Sequence, residues 1–202
     1  MTSPRVGVLS LQGDVREHVN ALRELGAEAV LVRRPEELAS VDGLVIPGGE
    51  SSVIDKLSRA FGMQIPIREA IAAGLPVYGT CAGLILLADR IIGAIDGQET
   101  FGGLDVTVRR NAFGGQVESF ETDLVSAELD GTPVHAAFIR APLVEEVGPL
   151  ARVLATLPDG RVVAVAQDNL IGTAFHPEVT GELRFHRMLM DRISARPAKR
   201  AA

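Results

Sequence analysis

The sequence predicts an α/β fold: a mainly parallel central sheet flanked by helices, with antiparallel strands added in its second half. Three observations carry this. Over the first 90 residues, short apolar β-branched runs alternate with segments whose apolar residues recur at helical spacing. Past residue 100 the pattern changes to hairpin signals. Glycine-rich turns stand at the ends of early strands, where parallel α/β sheets hold their ligands.

Each element has its own justification. Arg5 to Leu11 (RVGVLSL) reads as a buried strand, broken by Gln12-Gly13. From Asp14 to Leu25, Val15, Val19, Leu22 and Leu25 fall on one helical face. Asp14 suits the N-cap and Gly26 the stop. Ala29 to Val32 is a second strand, and Gly43 to Ile46 a third that ends at Pro47-Gly48-Gly49. Ser51 or Ser52 can cap a helix to about Arg59, and Pro66 to Ala73 reads as another, closed by Gly74. Leu75 to Tyr78 is a fourth strand, followed by Gly79-Thr80-Cys81-Ala82-Gly83 and an apolar helix to about Arg90. Leu104 to Arg109 and Val134 to Arg140 read as strands. Arg152 to Leu157 and Arg161 to Gln167 flank the turn Pro158-Asp159-Gly160. Leu170 to Phe175 is a further strand, and Glu182 to Ile193 a closing helix. Residues 1–194 are expected to form one domain, and the basic tail 195–202 to be disordered.

Composition removes whole classes. One cysteine in 202 residues forbids an internal disulfide and favours a reducing, cytoplasmic setting. A net charge of −6 and 4% aromatic residues argue against nucleic-acid binding. Apolar runs such as Leu84 to Ala88 are far short of a membrane span, and Met1 to Arg5 lacks a signal core. No cluster shows zinc-ligand spacing, so no metal is expected. His18, His135 and His186 read as ordinary structural residues.

Three constellations can carry chemistry. Cys81, between Gly79 and Gly83 at a strand-to-helix junction, stands where a nucleophile elbow places its reactive side chain. The following helix start favours negative charge on sulfur, and the Ala82 N–H can donate to an oxyanion. Taken alone, a single cysteine is more often a small core residue; the glycine pattern tips this one toward a nucleophile. His176-Pro177-Glu178 follows another strand. Pro177 biases His176 to extended backbone, so imidazole and carboxylate can face one side as base and orienter. Pro47 to Ser52 offers two glycines whose N–H groups can approach a ligand, or a plain turn with a helix cap. Arg140 either snorkels or grips an anion; residues alone leave that even.

The order of these motifs, a Gly-Gly loop, then a cysteine elbow, then His-x-Glu, resembles the triad (class I) glutamine amidotransferases. Further segments resemble the glutaminase subunits of pyridoxal 5′-phosphate synthases: Ser10 to Gly13, Val15 to His18, Arg34 to Leu38, Pro47 to Ser51 and Gly79 to Ile85. Arg110 to Gly114, Gln116 with Ser119 to Glu121, and Phe138 to Pro142 extend the likeness. The chain departs from relatives at Ile85, where glutamine is usual, and at Gly115, where arginine is common.

The resemblance implies a flavodoxin-like three-layer sandwich and hydrolysis of L-glutamine to glutamate and ammonia. It implies Cys81 as nucleophile, His176 as base and acid, and Glu178 as orienter. Gly49 and Ala82 would form the oxyanion hole. Gly49, Glu50, Ser51, Arg110, Ile139 and Arg140 would contact glutamine. It implies no cofactor, and a synthase (lyase) subunit as partner in a large hetero-oligomer. The alternatives are a glutaminase for another acceptor, such as the imidazole glycerol phosphate pathway, and a non-catalytic redox-sensing module. An esterase is disfavoured by the thiol.

Overall fold

A computed structural model of the chain describes residues 3–112, 119–126, 128–129 and 131–196. Five parallel strands form one half of the main sheet: β1 (Arg5–Leu9), β2 (Glu28–Val32), β3 (Gly43–Ile46), β4 (Val77–Thr80) and β12 (Leu170–Thr173). Their order is β2-β1-β3-β4-β12. The other half holds β5 (Ala88–Ile92), β6 (Leu104–Arg109), β9 (Leu143–Val147), β10 (Arg152–Thr156) and β11 (Val162–Gln167). Here β11, β9 and β6 join by antiparallel pairing, while β5 runs parallel to β6 at the edge. A separate two-stranded sheet pairs β7 (Phe120–Leu124) with β8 (Val134–Phe138). The mainly parallel core with antiparallel additions is therefore present as the sequence predicts.

The helices cover the faces. α1 (Val15–Glu24) buries His18, Val19, Ala21 and Leu22. α2 (Pro35–Ala39) is a single short turn region with Pro35 at its start. α3 (Ser51–Ala60) and α4 (Gln64–Ala72) follow. α5 (Ala82–Leu87) is wholly buried, α6 (Pro177–Thr180) is one turn, and α7 (Arg184–Ala195) closes the chain.

Four differences from the sequence reading have local causes. The helix expected to reach Arg90 stops at Leu87. Ala88 takes φ −65° and ψ 142° and enters β5, because pairing with β6 outweighs the helix propensity of a short apolar run. Asp14 stands before α1 but makes no capping bond; its carboxylate faces His176 Nδ1 at 3.5 Å instead. α3 is capped by Glu50, not by a serine: the Glu50 carboxylate accepts from Ser52 N at 3.2 Å. Ala195, placed in the tail from sequence, ends α7, and Arg196 donates to the Ala73 carbonyl at 3.0 Å. The rest of that tail, and Phe113, Gly114, Gly115 and Gln116, lie outside the described residues.

The core positions the site. Phe175 is fully buried, 5.5 Å from the Phe138 ring and 5.4 Å from the Phe185 ring. Burying one such side chain contributes about 2–3 kcal/mol. That anchors the backbone immediately before His176 to β8 and α7.

Candidate active site

Sheet register assembles the site. Ile46 is opposite Gly79, and Thr173 is opposite Thr80. The chain ends leaving β3, β4 and β12 therefore emerge side by side, carrying Gly48-Gly49, Cys81 and His176. The Cys81 N–H donates to the Thr173 carbonyl at 2.8 Å, and the His176 N–H donates to the Ala137 carbonyl at 2.9 Å.

Cys81 has φ 48° and ψ −99°, outside the regions comfortable for a residue with a Cβ. The flanking glycines make this turn possible. A Cβ on Gly79 would lie 2.5 Å from the Gly83 carbonyl carbon, and one on Gly83 would lie 2.2 Å from the Ile46 carbonyl oxygen. The tight strand-to-helix turn read from the sequence is the geometry present.

His176 Nδ1 donates to Glu178 Oε1 at 2.8 Å, which leaves Nε2 available to the Cys81 side. Burial works to lower the imidazolium's pKa. The hydrogen bonds to Cys81 and Glu178, and their negative charge, outweigh it and push His176 up to about 10. Its ring lies against Gly48, where a Cβ would meet Cε1 at 2.3 Å. Asp14, His176 and Glu178 offer ligand atoms within 4.8 Å of one another. In the structure Nδ1 is paired with the Glu178 carboxylate.

The Gly-Gly loop is tied to the turn after β1. The Gly48 carbonyl accepts from Asp14 N at 3.1 Å, so the Gly49 N–H, trans to that carbonyl, points the opposite way within the peptide plane. Gln12 Oε1 accepts from Glu50 N at 2.8 Å. Gly49 sits at φ 154°, and a Cβ there would strike Gln12 Oε1 at 2.5 Å. Ala82, fully buried at the first position of α5, has one of the N–H groups that a helix start leaves without an internal acceptor.

A cleft of about 560 Å³ opens above these groups, within the range of small-molecule sites. Gly49, Glu50, Ser51, Cys81, Arg110, Ile139, Arg140 and His176 line it, together with Asp14, Ile85 and Asn111. Of the residues expected at the site from sequence, only Ala82 and Glu178 stand behind the wall. Arg110 is fixed: its guanidinium donates to Glu50 Oε1 at 2.7 Å and to Gln98 Oε1 at 2.9 Å. Gln98 in turn donates to Ser51 Oγ at 3.1 Å. Arg140 projects from a backbone at φ 47°, and Asn111 from one at φ 50°.

Sequence reading missed Asp14 and Asn111 as cleft residues. Asp14 follows a strand of the parallel sheet, so the strand-end rule that found the other motifs could have found it. It also passed over His18 and His186. His18 is fully buried; its Nδ1 lies 2.8 Å from His186 Nε2, and its Nε2 lies 3.6 Å from Glu178 Oε1.

Known proteins resemble the chain along its length. The family model for the SNO glutamine amidotransferase family matches residues 8–195. A relative from Leifsonia xyli subsp. xyli, named "Pyridoxal 5'-phosphate synthase subunit PdxT", is 67% identical and covers 96% of this chain and 98% of its own. One of the same name from Clavibacter michiganensis subsp. michiganensis is 64% identical, over 94% and 91% of the two chains. A solved structure titled "Crystal structure of glutamine amidotransferase" superposes with a TM-score of 0.87 at 44% identity, covering 94% of this chain and 99% of that one. A PurLQS structure from Thermotoga maritima, at 18% identity and TM-score 0.72, shares the fold. By a match that takes in the elbow, the Gly-Gly loop and the His-x-Glu segment, the chain belongs to the SNO glutamine amidotransferase family.

Proposed function

We propose that the chain is the glutaminase subunit of a pyridoxal 5′-phosphate synthase, with Cys81, His176 and Glu178 as its catalytic triad. The observation that carries the catalytic assignment is the strained Cys81, sharing one cleft with an imidazole held by a buried carboxylate. The names of relatives 56–67% identical support the biosynthetic assignment.

The chemistry follows from the geometry. The Cys81 thiolate attacks the side-chain amide carbon of glutamine. The N–H groups of Gly49 and Ala82 receive the oxyanion. The C–N bond breaks as His176 gives its proton to the departing nitrogen, releasing ammonia and leaving a γ-glutamyl thioester. Water then attacks the thioester as His176 takes its proton; glutamate leaves and the thiol is regenerated. A His176 held protonated in the resting site suits the first proton transfer. Arg110 and Arg140 offer positive charge to the substrate carboxylate, Glu50 offers negative charge to its ammonium, and Ser51 and Ile139 complete the wall.

Free ammonia is lost to water, so its consumer must be docked. The partner in this reading is the synthase (lyase) subunit in a large hetero-oligomer, in a reducing cytoplasmic setting that keeps the thiol free. The Gly48-Gly49 loop reaches its working geometry in that complex. No helix of the described residues is long and apolar enough to cross a membrane.

The test is glutamine turnover with and without the synthase subunit, with labelling by a glutamine-analogue electrophile. Turnover should rise on docking, and label should map to Cys81. Equal rates with and without the partner would overturn the docking requirement. Label elsewhere, with turnover unaffected, would overturn the nucleophile.

A further inference from the structure

Behind the triad lies a second pair of imidazoles. His18 on α1 and His186 on α7 are both fully buried, 168 residues apart in sequence, with Nδ1 of one 2.8 Å from Nε2 of the other. Two ring nitrogens at that distance share one proton, so one donates and the other accepts. The remaining nitrogen of His18, Nε2, faces Thr80 Oγ1 at 3.1 Å and Glu178 Oε1 at 3.6 Å. The remaining nitrogen of His186, Nδ1, is buried with no partner.

The surroundings choose between the two proton arrangements. If His18 donated to His186, its bare Nε2 lone pair would face the Glu178 carboxylate, and His186 would bury an orphan N–H. If His186 donates, His18 points an N–H at Thr80 and Glu178, and only an acceptor lone pair of His186 is left bare. Orphan buried N–H groups are the rarer and costlier case, and an N–H toward a carboxylate attracts where a lone pair repels. The second arrangement is therefore the one adopted.

We infer that His18 is a positioning residue of the catalytic site: its Nε2–H, donated to Thr80 Oγ1, turns its positive end toward Glu178 Oε1 3.6 Å away and steadies that carboxylate for His176, and His186 fixes the His18 tautomer that makes this possible. The inference rests on the triad reading above. Both rings stay neutral. Burial first, then the repulsion that a proton on His186 would add, then the charge of His176, keeps His18 well below the usual histidine range; burial brings His186 down to about 4, against the opposing charge of Glu182. The groups facing the pair are Glu178 on α6, Glu182 between α6 and α7, Tyr78 and Thr80 on β4, and His176 beyond β12. A neutral donor supports the carboxylate without competing with the His176 imidazolium for its charge.

The experiment is glutaminase kinetics across pH in the complex with the synthase subunit. The chains compared are wild type, His18→Leu, His18→Gln, His186→Leu and the His18→Leu/His186→Leu double variant. Rates are normalised to Cys81 sites titrated by the electrophile. His18→Leu should lower kcat about 10- to 100-fold, the range seen when outer-shell partners are removed, with KM within about threefold. Its alkaline limb should move down by about 1 pH unit, because a less well-held carboxylate supports the His176 proton less. His18→Gln, whose amide N–H takes the place of Nε2–H, should restore kcat to within about threefold. The double variant should be no slower than His18→Leu alone, as expected for residues acting in series. A His18→Leu enzyme within twofold of wild type, or one slowed with its pH limb unmoved and no rescue by Gln, overturns the inference. Loss of Cys81-dependent turnover in wild type itself is a separate result, and it removes the triad reading on which this one stands.

Discussion

The chemistry of the cleft converges on two side chains in unusual states. Cys81 takes a backbone conformation that costs a non-glycine residue about 1–3 kcal/mol. His176 is raised from 6.5 to about 10 against the effect of its own burial. The Cys81 and Glu178 contacts supply that rise, so removing one should be visible. In Cys81→Ala, the His176 pKa measured by NMR titration should fall below about 10, since the hydrogen bond and charge of the sulfur are gone while burial remains. An unchanged titration would contradict the pairing. The sign carries over to stability. A histidine raised in the folded state stabilises fully below its ordinary 6.5 and loses that contribution as pH rises through about 10. The advantage of wild type over Cys81→Ala should therefore shrink across that window in urea unfolding. Cys81, His176 and Glu178 were legible in the sequence because each motif carries its own local glycine or proline geometry. His18 and His186 were not: nothing local to either residue says that the buried faces of α1 and α7 meet.

Around the elbow, elements approach to backbone contact. α5 crosses β3 so closely that Gly83 has no room for a methyl group. Gly83→Ala should destabilise the fold by about 1–3 kcal/mol, in the range of overpacking, and displace the start of α5 with its Ala82 N–H. Urea unfolding should show the loss. Glutaminase activity per folded molecule should drop as well, and full activity at wild-type stability would contradict the tight crossing. The early strands and α1 were readable because their apolar spacing is regular and their ends carry glycine. The end of α5 was not, because Leu84 to Ala88 and the residues after it suit a helix as well as a strand, and only pairing with β6 decides. β7 (FETDL) and β9 (LVEEV) were missed for a related reason: neither alternates polar and apolar residues, so pairing with β8 and β6 rather than local pattern defines them.

At the scale of the whole molecule, strand order converts three separated segments into one site. Neighbouring β3, β4 and β12 deliver the Gly-Gly loop, the cysteine and the histidine to one end of the sheet. The opposite half brings Arg110 from the end of β6, the separate two-stranded sheet brings Arg140 from the end of β8, and their loops join where Ala112 N donates to the Ala141 carbonyl at 3.1 Å. The single cysteine of the chain lies in the cleft these segments line, leaving no second thiol to share the assignment. The central claim is that glutamine passes through a covalent bond to that sulfur. It is tested most directly by acid-quenching the complex with the synthase subunit during turnover and mapping adducts by mass spectrometry. The account predicts a γ-glutamyl adduct on the peptide containing Cys81, absent in Cys81→Ala along with turnover. Steady ammonia release from a Cys81→Ala chain would contradict it.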